Sequence, residues 1–399
     1  MNRPVRTLLF STLYHSSVRP THGIFVETRL RELLKTGGVE TRVVAPVPWF
    51  PSTAPRWGDF ARLARTPARE TQHGIEVWHP RYPLLPKVGM TLAPLLLALG
   101  ARAAVRRLID EGFDFDVIDA HYYYPDGVAA TLLGAWFNKP VTVTARGTDI
   151  NLIPEHRGPR QWLRWAGARA RASIGVSAAL VERMRALAFD PARLHVMRNG
   201  VDLERFSPHE RSAMRQSLGL TGAPLLLTVG NLHEHKGQRL VVDALALLRH
   251  QHVGAQLLVV GEGPDLALLK QQAGALGLTD AVHFVGLVPN AELARWYSAA
   301  DVLVLASSRE GWPNVLLEAM ACGTPVVASD VGGVREMVHG LAAGRMVAQR
   351  TPAAFADALS GLLSERTDRA AVRAHAEQFG WERTSQEQLT LFQSLRSAG

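Results

Sequence analysis

Two glutamates eight positions apart, Glu310 and Glu318, frame a stretch that is suited to binding a ligand. The apolar run at 302–306 precedes Glu310 and predicts a buried parallel strand. Pro313 suits the first position of a helix, whose unpaired N–H groups attract an anion. Because a loop carboxylate accepts hydrogen bonds from hydroxyl groups, the stretch predicts a site for a phosphate beside a polyol. The spacing leaves open that Glu310 only favours a helix start and that Glu318 lies on a solvated face.

A lysine in the same half of the chain offers another anion-binding group. Lys236 stands before Gly237, between a predicted strand and a predicted helix, where an ammonium group can bind a phosphate. The spacing of a Walker motif is absent, so a solvated loop lysine stays an alternative. His233 and His235 lie beside it but would need a third ligand to hold a metal. The GEGP sequence at 261–264 predicts a tight strand-to-helix turn.

Polar residues also follow three predicted strands of the first half. His121 follows one strand, Arg146 and Asp149 follow the next, and Gly23 lies in the loop after the first strand. The carboxyl ends of parallel strands meet at the ligand-binding edge of a sheet, and a glycine lets the backbone approach a ligand. We therefore expect these residues to face a common cleft. A histidine satisfied by a backbone group remains the alternative for His121.

Metal chemistry is not expected from the sequence. Asp114-Phe-Asp116 has the spacing of a DxD motif, but Asp116 begins a strand and Asp114 precedes it, at the amino edge away from the cleft. The single cysteine, Cys322, excludes an internal disulfide and a cysteine-based zinc site. Its apolar surroundings indicate a small buried side chain rather than a nucleophile.

Composition indicates an ordinary globular protein. The 399 residues allow two or three domains, with 47% hydrophobic and 20% charged residues. The net charge of +8, carried mainly by arginine, is compatible with nucleic acid, an anionic membrane or anionic ligands. Its arginines are scattered rather than interleaved with aromatic residues, so we expect no nucleic-acid partner. No run is long enough to span a bilayer and the apolar stretch at 7–10 is too short for a signal peptide, which predicts a cytoplasmic protein.

Alternation of apolar runs with helical patterns predicts an α/β fold with doubly wound parallel sheets. The pattern breaks and restarts near residue 205, where we place a domain boundary. Residues 46–70 predict a long irregular insertion. The predicted strands are 6–12, 40–45, 75–79, 116–120, 141–145, 173–176, 194–197, 225–229, 256–260, 282–285, 302–306, 326–329 and 345–347. The predicted helices are 24–36, 88–109 with an interruption at Gly100, 127–137, 161–171, 178–187, 238–249, 266–275, the helix that begins at Pro313 and stops at Gly323, and 381–395.

These motifs together resemble the retaining glycosyltransferases of family 4. The segment EGWPNVLLE at 310–318 with the AMACGTPVVAS that follows matches the family's EX7E region, and NGVD at 199–202 matches its interdomain segment. HGIFVETRLREL, VVAPVPWFP, YPDGVAA and TARGTDIN are similar to members that build bacterial exopolysaccharide and teichuronic acid. The resemblance implies the GT-B fold of two Rossmann-like domains facing a deep cleft. It implies an acceptor domain at 1–205, a donor domain at 206–380, and a last helix at about 381–399 that packs back on the first domain.

The resemblance also implies roles for individual residues. Glu310 would bind hydroxyls of the donor sugar, Glu318 the nucleotide ribose, and His121 the sugar near the reacting carbon. Lys236 would hold the diphosphate, and Gly23 would let the first loop close on it. The backbone amides of one further segment would complete the diphosphate site: Gly311, Trp312, Pro313, Asn314 and Val315. We take His121, Lys236 and Glu310 as the catalytic candidates.

One position departs from the family. Asn231 stands in the donor site where the family commonly has arginine, so another cation, Arg146 or Arg198, would complete the clamp. Arg146 and Asp149 are also candidates for the acceptor side.

We therefore predict transfer of a sugar from a nucleotide-sugar, UDP-sugars being favoured, to a sugar or lipid-linked acceptor in cell-surface glycan synthesis. No cofactor and no metal are expected, since amides and a lysine can stabilise the leaving diphosphate. The helix at 88–109 and the Trp57 loop, with their arginines, could dock on an anionic membrane. The alternatives are a nucleotide-sugar epimerase or a phosphorylase on the same architecture and, more remotely, a non-catalytic nucleic-acid-binding protein.

Overall fold

The computed structural model describes residues 3–20, 22–84, 89–221, 224–340, 343–365 and 367–397. The chain forms two compact units, Met1–Arg198 together with Glu382–Gly399, and Asn199–Trp381. The division falls just before the NGVD segment, a few residues ahead of the boundary placed near 205 from the sequence. We call them the first and the second unit.

The first unit is built on an eight-stranded sheet with the strand order β10-β9-β8-β7-β1-β2-β5-β4. Every pairing is parallel except that of β4, an antiparallel edge strand, with β5. β3 and β6 form a separate parallel pair. The strands are β1 (Val5–Phe10), β2 (Val39–Val44), β3 (Val47–Pro48), β4 (Arg69–Gln72), β5 (Ile75–Trp78), β6 (Arg81–Tyr82), β7 (Val117–His121), β8 (Val141–Ala145), β9 (Ala172–Gly175) and β10 (Leu194–Val196).

Two predictions for this unit were wrong. Residues 46–70 contain β3, a helix and the start of β4 instead of an irregular insertion. The prolines of this segment argued against a helix in the sequence, although a short helix forms. The helix predicted at 88–109 runs without interruption through Gly100, where a Cβ would lie 2.6 Å from the Cβ of Tyr82; its predicted start at 88 lies outside the described residues. The helices are α1 (Ile24–Leu34), α2 (Gly58–Ala64), α3 (Gly89–Asp110), α4 (Val128–Phe137), α5 (Thr148–Asn151), α6 (Arg157–Gly167) and α7 (Ala178–Ala186).

The second unit has a six-stranded sheet, all parallel, with the order β13-β12-β11-β14-β15-β16. Helices cover its faces, and β14 and β15 are accordingly buried along their whole length. The strands are β11 (Leu225–Val229), β12 (Gln256–Val260), β13 (Val282–Gly286), β14 (Val302–Leu305), β15 (Val326–Ser329) and β16 (Gly344–Val347). The helices are α8 (Arg211–Ser217), α9 (Gln238–Leu248), α10 (Leu266–Ala275), α11 (Leu293–Ala299), α12 (Asn314–Ala321), α13 (Val334–Met337), α14 (Pro352–Ser364) and α15 (Arg369–Glu377).

The last helix, α16 (Trp381–Ser397), belongs to the first unit from Glu382 onward. Leu389 and Phe392 join a core cluster with Val5, Leu33 and Val117. Burying apolar side chains of this size stabilises the fold by roughly 1.5–3 kcal/mol each, which is what holds the helix in place. Residues 398–399, the end of the predicted segment, lie outside the described residues.

Both sheets reverse their strand order at one point. In the second sheet β11 lies between β12 and β14, and in the first sheet β1 lies between β2 and β7. The loops that follow the two central strands at such a point diverge and leave a crevice at the carboxyl ends of the strands, where open α/β sheets bind ligands. The α/β prediction of doubly wound parallel sheets is confirmed. Within the described residues, no helix is both long enough and apolar enough to cross a bilayer.

Candidate functional site

Lys236 and Glu310 meet at the crevice of the second sheet. Lys236 lies in the loop after β11 and Glu310 in the loop after the neighbouring strand β14, and Nζ is 2.7 Å from Oε1. The hydroxyl of Ser307 donates to the same Oε1 at 2.7 Å. The lysine side chain is 26% exposed and the glutamate side chain 9%. The ammonium group therefore keeps N–H donors that an anion entering the crevice could take.

Glycines bring the loops of this crevice into backbone contact. Gly237 has φ 73°, and a Cβ there would lie 2.1 Å from the carbonyl oxygen of Ala306. Gly332 has φ 52°, and a Cβ there would lie 1.9 Å from the carbonyl oxygen of Glu310. A side chain at either position would push apart the loops that carry Lys236 and Glu310.

The start of α12 lies beside this pair and corrects the predicted set of amide donors. Pro313 is the residue before the helix rather than its first residue, and no side chain caps the helix. Pro313 has no N–H and cannot donate to a phosphate. The indole of Trp312 is buried and donates to the carbonyl of Asn199 at 2.9 Å, so this side chain anchors the NGVD segment. The indole bond does not involve the backbone amide of Trp312, so Gly311, Trp312, Asn314 and Val315 stay in the predicted set of backbone donors.

Glu318 does not lie on a freely solvated face. Its Oε2 accepts a hydrogen bond of 2.7 Å from the hydroxyl of Tyr297, on α11. Burial raises the pKa of Glu318 to about 7, against the opposing effects of the Tyr297 hydrogen bond and the Arg205 charge. A hydroxyl group that donated to this carboxylate would favour its charged form.

Asn231 brings no charge to the crevice, and other cations lie in the same unit. Arg350 donates from Nε to the carbonyl of Ala306 at 2.7 Å, close to Gly237. Burial, the charge of Lys236 and the charge of Arg309 all lower the pKa of His235, which places Arg309 near this loop. Arg146 and Arg198, suggested from the sequence as substitutes, both belong to the first unit.

In the first unit, His121 ends β7 and is 1% exposed. Its Nε2 is 3.1 Å from Oδ2 of Asp119, and its Nδ1 contacts a guanidinium nitrogen of Arg146. Since Asp119 accepts and Arg146 donates, the proton of the neutral ring belongs on Nε2. Burial lowers the pKa of His121 to about 4, with Asp119 opposing and Arg146 adding to the shift. Both ring nitrogens are thus engaged inside the protein.

Arg146 and Asp149 are buried as well. Asp149 is 0% exposed and accepts backbone N–H bonds from Tyr123 at 2.6 Å, Gly147 at 2.8 Å and Arg146 at 3.1 Å. The prediction that Asp149 faces the acceptor is therefore corrected, because its carboxylate holds the loop. Burial lowers the pKa of Arg146 to about 9, and its guanidinium lies 5.1 Å from the Phe25 ring centroid.

Gly23 precedes α1 with φ 63°, and a Cβ there would lie 1.5 Å from the carbonyl oxygen of Leu13. The loop after β1 therefore requires a glycine at this position. Nearby, the buried Asp126 accepts from the backbone N–H of Thr12 at 2.9 Å, and burial raises the pKa of Asp126 to about 7.

Sequence reasoning missed Asp119. Its carboxylate accepts from His121, from Thr142 at 3.1 Å and from Gln388 of α16 at 3.0 Å. Burial raises its pKa, but the contacts with His121, Arg29 and Thr142 hold the pKa below its ordinary value. The available signal was a charged residue inside the apolar strand VIDAH, since a buried charge needs partners.

The rejected DxD motif is accounted for by ion pairs. Asp116 lies 2.7 Å from Arg3 and Asp114 lies 2.6 Å from Lys139, both on the amino side of the first sheet. Cys322 is buried, and burial raises the pKa of its thiol to about 12, which leaves it unreactive.

Comparison with known proteins decides the family. A model described as "Glycosyltransferase Family 4" matches residues 25–205, and one described as "Glycosyl transferases group 1" matches residues 210–379. The D-inositol 3-phosphate glycosyltransferase 1 of Catenulispora acidiphila is 31% identical, over 91% of this chain and 92% of its own. The chain belongs to glycosyltransferase family 4. The putative teichuronic acid biosynthesis glycosyltransferase TuaC of Bacillus subtilis is 30% identical, over 84% of this chain and 83% of its own.

The fold comparison agrees with this assignment. The structure of HepE from Anabaena in complex with UDP and glucose aligns with a TM-score of 0.74 and 21% identity, over 98% of this chain and all of that chain. The GT-B fold class expected for this glycosyltransferase is thereby confirmed. The structure brings Lys236, Glu310 and the start of α12 together in one unit, and it brings His121, Arg146 and Asp149 together in the other.

Proposed function

We propose that this glycosyltransferase transfers a sugar from a UDP-sugar, with retention of configuration, to a lipid-linked or polysaccharide acceptor in cell-surface glycan synthesis. The observation that carries the proposal is the Lys236–Glu310 pair beside the uncapped start of α12. A cation, backbone amides and a carboxylate at one crevice suit a diphosphate joined to a polyol. Retention follows from the resemblance to the family.

In this mechanism the donor diphosphate displaces Lys236 from its pairing with Glu310. Negative charge grows on the leaving diphosphate, and Lys236 with the backbone amides near the start of α12 stabilises that charge without a metal. Glu310, released from the lysine, accepts hydrogen bonds from sugar hydroxyls. Glu318 accepts from the nucleotide ribose.

His121 can contact a donor sugar only if one of its present hydrogen-bond partners moves. Both of its ring nitrogens are engaged, so contact with the donor sugar requires that Arg146 leave Nδ1. Arg146 would then turn towards the acceptor or the diphosphate. Gly23, at the start of α1, would let its loop approach the phosphates as the resemblance implies.

UDP is the nucleotide to test first, because the similarly folded HepE was solved with UDP. Donor hydrolysis should be measured for UDP-, GDP- and ADP-sugars, each with and without EDTA, followed by product analysis for epimers and for phosphorolysis. We expect hydrolysis of one or more UDP-sugars that EDTA does not change. Loss of activity to EDTA and recovery with Mg²⁺ would contradict the metal-free mechanism, and epimer formation without transfer would favour the alternative enzyme.

The acceptor proposal draws on exposed apolar side chains in two places of the first unit: Trp49, Trp57 and Phe60, and Met90 and Leu92 at the start of α3. These side chains are between 40% and 58% exposed. The ring of Phe50 stacks on that of Phe60 and meets that of Trp57 edge-on. Exposed aromatic and aliphatic side chains of this kind suit the interface of a bilayer, where a lipid-linked sugar would be presented.

The positions of the arginines decide which of them we propose to act together with these apolar side chains. Arg102 and Arg106 lie over the rings of Trp136 and Phe137, in the second half of the 22-residue helix α3, whereas Met90 and Leu92 lie in its first turn. Arg62 and Arg65 instead belong to α2 and its end, next to Trp57 and Phe60. Only the α2 arginines are therefore proposed to contact anionic lipid.

Vesicle sedimentation tests this surface. We expect binding to phosphatidylglycerol but not to phosphatidylcholine, weakened by salt, since each basic residue near an anionic surface contributes about 1 kcal/mol. Changing Arg62 and Arg65 to Gln should weaken binding, while the matched change of Arg102 and Arg106 should not. Equal binding by both double variants would remove the surface from the proposal. Transfer assays with lipid-linked sugars and with D-inositol 3-phosphate would decide between the proposed acceptor and the one in the name of the Catenulispora acidiphila relative.

A further inference from the structure

Three side chains of metal-ligating types converge in the first unit, in a cluster that includes neither Lys236 nor Glu310. His15 lies in the loop after β1, Glu27 on α1, and His73 in the turn between β4 and β5. One ligand atom from each lies within 4.8 Å of the other two. Among the described residues, this is the one group of three such side chains close enough to share an ion.

His15 is buried without a hydrogen bond. It is 5% exposed, and neither ring nitrogen has a partner of acceptable geometry, although the Gln72 side chain lies near enough to affect its pKa. The Tyr14 ring stacks on it with centroids 4.8 Å apart and fixes its orientation. Buried polar groups in native proteins are almost always hydrogen-bonded, so a buried imidazole without a partner indicates a missing ligand.

Glu27 and His73 are close without satisfying each other. Oε1 of Glu27 is 2.7 Å from Nδ1 of His73 and 3.6 Å from a guanidinium nitrogen of Arg31, yet this buried oxygen has no hydrogen bond of acceptable geometry. His73 and Gly74 have φ angles of 50° and 79°, a turn in which Asn-Gly is the favoured pair. The histidine at this position therefore has a cost in the turn that a ligand role would offset.

We propose that His15, Glu27 and His73 bind a divalent transition metal, with zinc as the ion to which the ligand set is best suited. Two imidazoles and one carboxylate are zinc ligands, and hard cations such as Mg²⁺ prefer all-oxygen sites. Bond lengths near 2 Å require ligand atoms about 3.4 Å apart in a tetrahedral site. The 2.7 Å contact between Glu27 and His73 would lengthen and the wider separations, up to 4.8 Å, would shorten. The side chain of His73 is 54% exposed and has room for this movement, and water would take the fourth position.

Such an ion would join the first turn of α1 to the loop after β1 and to the β4–β5 turn. The same helix begins after Gly23, so the ion would stiffen the loop that the first unit presents at its crevice. Its role is structural, since Lys236 and Glu310 lie in the second unit.

The test is zinc titration of the full chain after removal of metals by dialysis against a chelator. We expect one equivalent of Zn²⁺ to bind in excess Mg²⁺, to raise the melting temperature, and to be replaceable by Co²⁺ with a visible absorption band. His73→Asn should weaken zinc binding by more than about 100-fold, because losing only an outer partner of a metal ligand already costs 10–100-fold.

His73→Asn places the preferred residue in the turn, so its metal-free melting temperature should equal or exceed that of the wild type. Lost binding in this variant then cannot be ascribed to unfolding. His250→Asn, at an exposed histidine of the second unit, is the matched control and should bind zinc as the wild type does. Wild-type protein without stoichiometric zinc, or His73→Asn with wild-type affinity, would overturn the proposal. The His73→Asn variant also allows the EDTA experiment on catalysis to be repeated without this site.

Discussion

The two sheets carry polar residues at corresponding crevices, but the two crevices are built differently. In the second unit, Lys236 and Glu310 form a partly exposed ion pair. A ligand could take the place of either partner. In the first unit, His121, Arg146 and Asp119 form a network that is almost wholly buried. The topology thus fixes where polar residues gather, and burial decides whether they can exchange partners with a ligand.

The two crevices should therefore respond differently to the removal of a charged side chain. Removing a partly exposed charge costs little stability, because water replaces the lost partner. Removing a buried charge leaves its partners uncompensated, which costs several kcal/mol. Variants of the second crevice should therefore lose rate or affinity, and variants of the first should lose stability.

The largest expected effect belongs to Lys236. Lys236→Ala should reduce kcat for transfer by about 10²–10³, the usual cost of removing one donor to a developing anion, with an unchanged melting temperature. Lys270→Ala, at an exposed lysine of the same unit near the Phe284 ring, is the control and should keep wild-type kcat. A loss in Lys236→Ala no greater than in the control would remove the lysine from the diphosphate site.

The first crevice can be tested through Asp119. Asp119→Ala should lower the free energy of unfolding by about 3–5 kcal/mol, since Arg29 and His121 lose their buried counter-charge and acceptor. Denaturant unfolding measures this, with Asp59→Ala as the control for an exposed carboxylate. If Asp119→Ala cost no more than the control, the network would not be the stabilising feature described above.

A smaller effect is expected from the pH dependence of donor binding. With a pKa of about 7, Glu318 in the free protein is protonated below neutral pH, while the ribose hydroxyls favour its carboxylate form. Affinity for a UDP-sugar, whose diphosphate does not titrate in this range, should therefore fall by up to about tenfold per pH unit below 7. Glu318→Gln should remove the dependence. A wild-type affinity that is constant between pH 5 and 8 would contradict it.

The same shifted carboxyl group links stability to pH. Because the folded-state pKa of Glu318 is raised, the unfolded chain releases this proton first as the pH increases. Its contribution to stability is complete below the ordinary glutamate pKa, about 4.3, and is lost as the pH rises towards 7. Glu318→Gln should flatten this part of the stability profile.

The smallest effect concerns the missing arginine. Asn231→Arg should raise kcat/KM for the donor only a few-fold at low salt, since one exposed charge pair contributes at most about 1 kcal/mol. Added salt should erase the gain. A gain of 100-fold or more would mean that Arg309 and Arg350 supply none of the positive charge at this crevice.

The sequence was most informative where local pattern and site coincide. The apolar strand before Glu310 and the helix after Pro313 could be predicted because both signals lie within one short segment. The charged residue inside the apolar strand VIDAH indicated a buried carboxylate, but its role could not be assigned because its partners Thr142 and Gln388 are 23 and 269 residues away. The helices α8, α11, α13, α14 and α15 were not predicted; α8 and α11 have seven residues each and α13 has four, too few turns for a clear period.

Calorimetric titration of UDP and of a UDP-sugar tests most directly which part of the ligand each glutamate of the second crevice binds. The account predicts that Glu310→Gln binds UDP within a few-fold of the wild type, because the freed Lys236 still holds the diphosphate. The variant should lose the additional affinity contributed by the sugar and more than about tenfold in transfer, the usual cost of a hydrogen bond to a charged group. Glu318→Gln should weaken both ligands by the same factor. If Glu310→Gln lost as much affinity for UDP as for the UDP-sugar, the assignment of Glu310 to the sugar would be wrong.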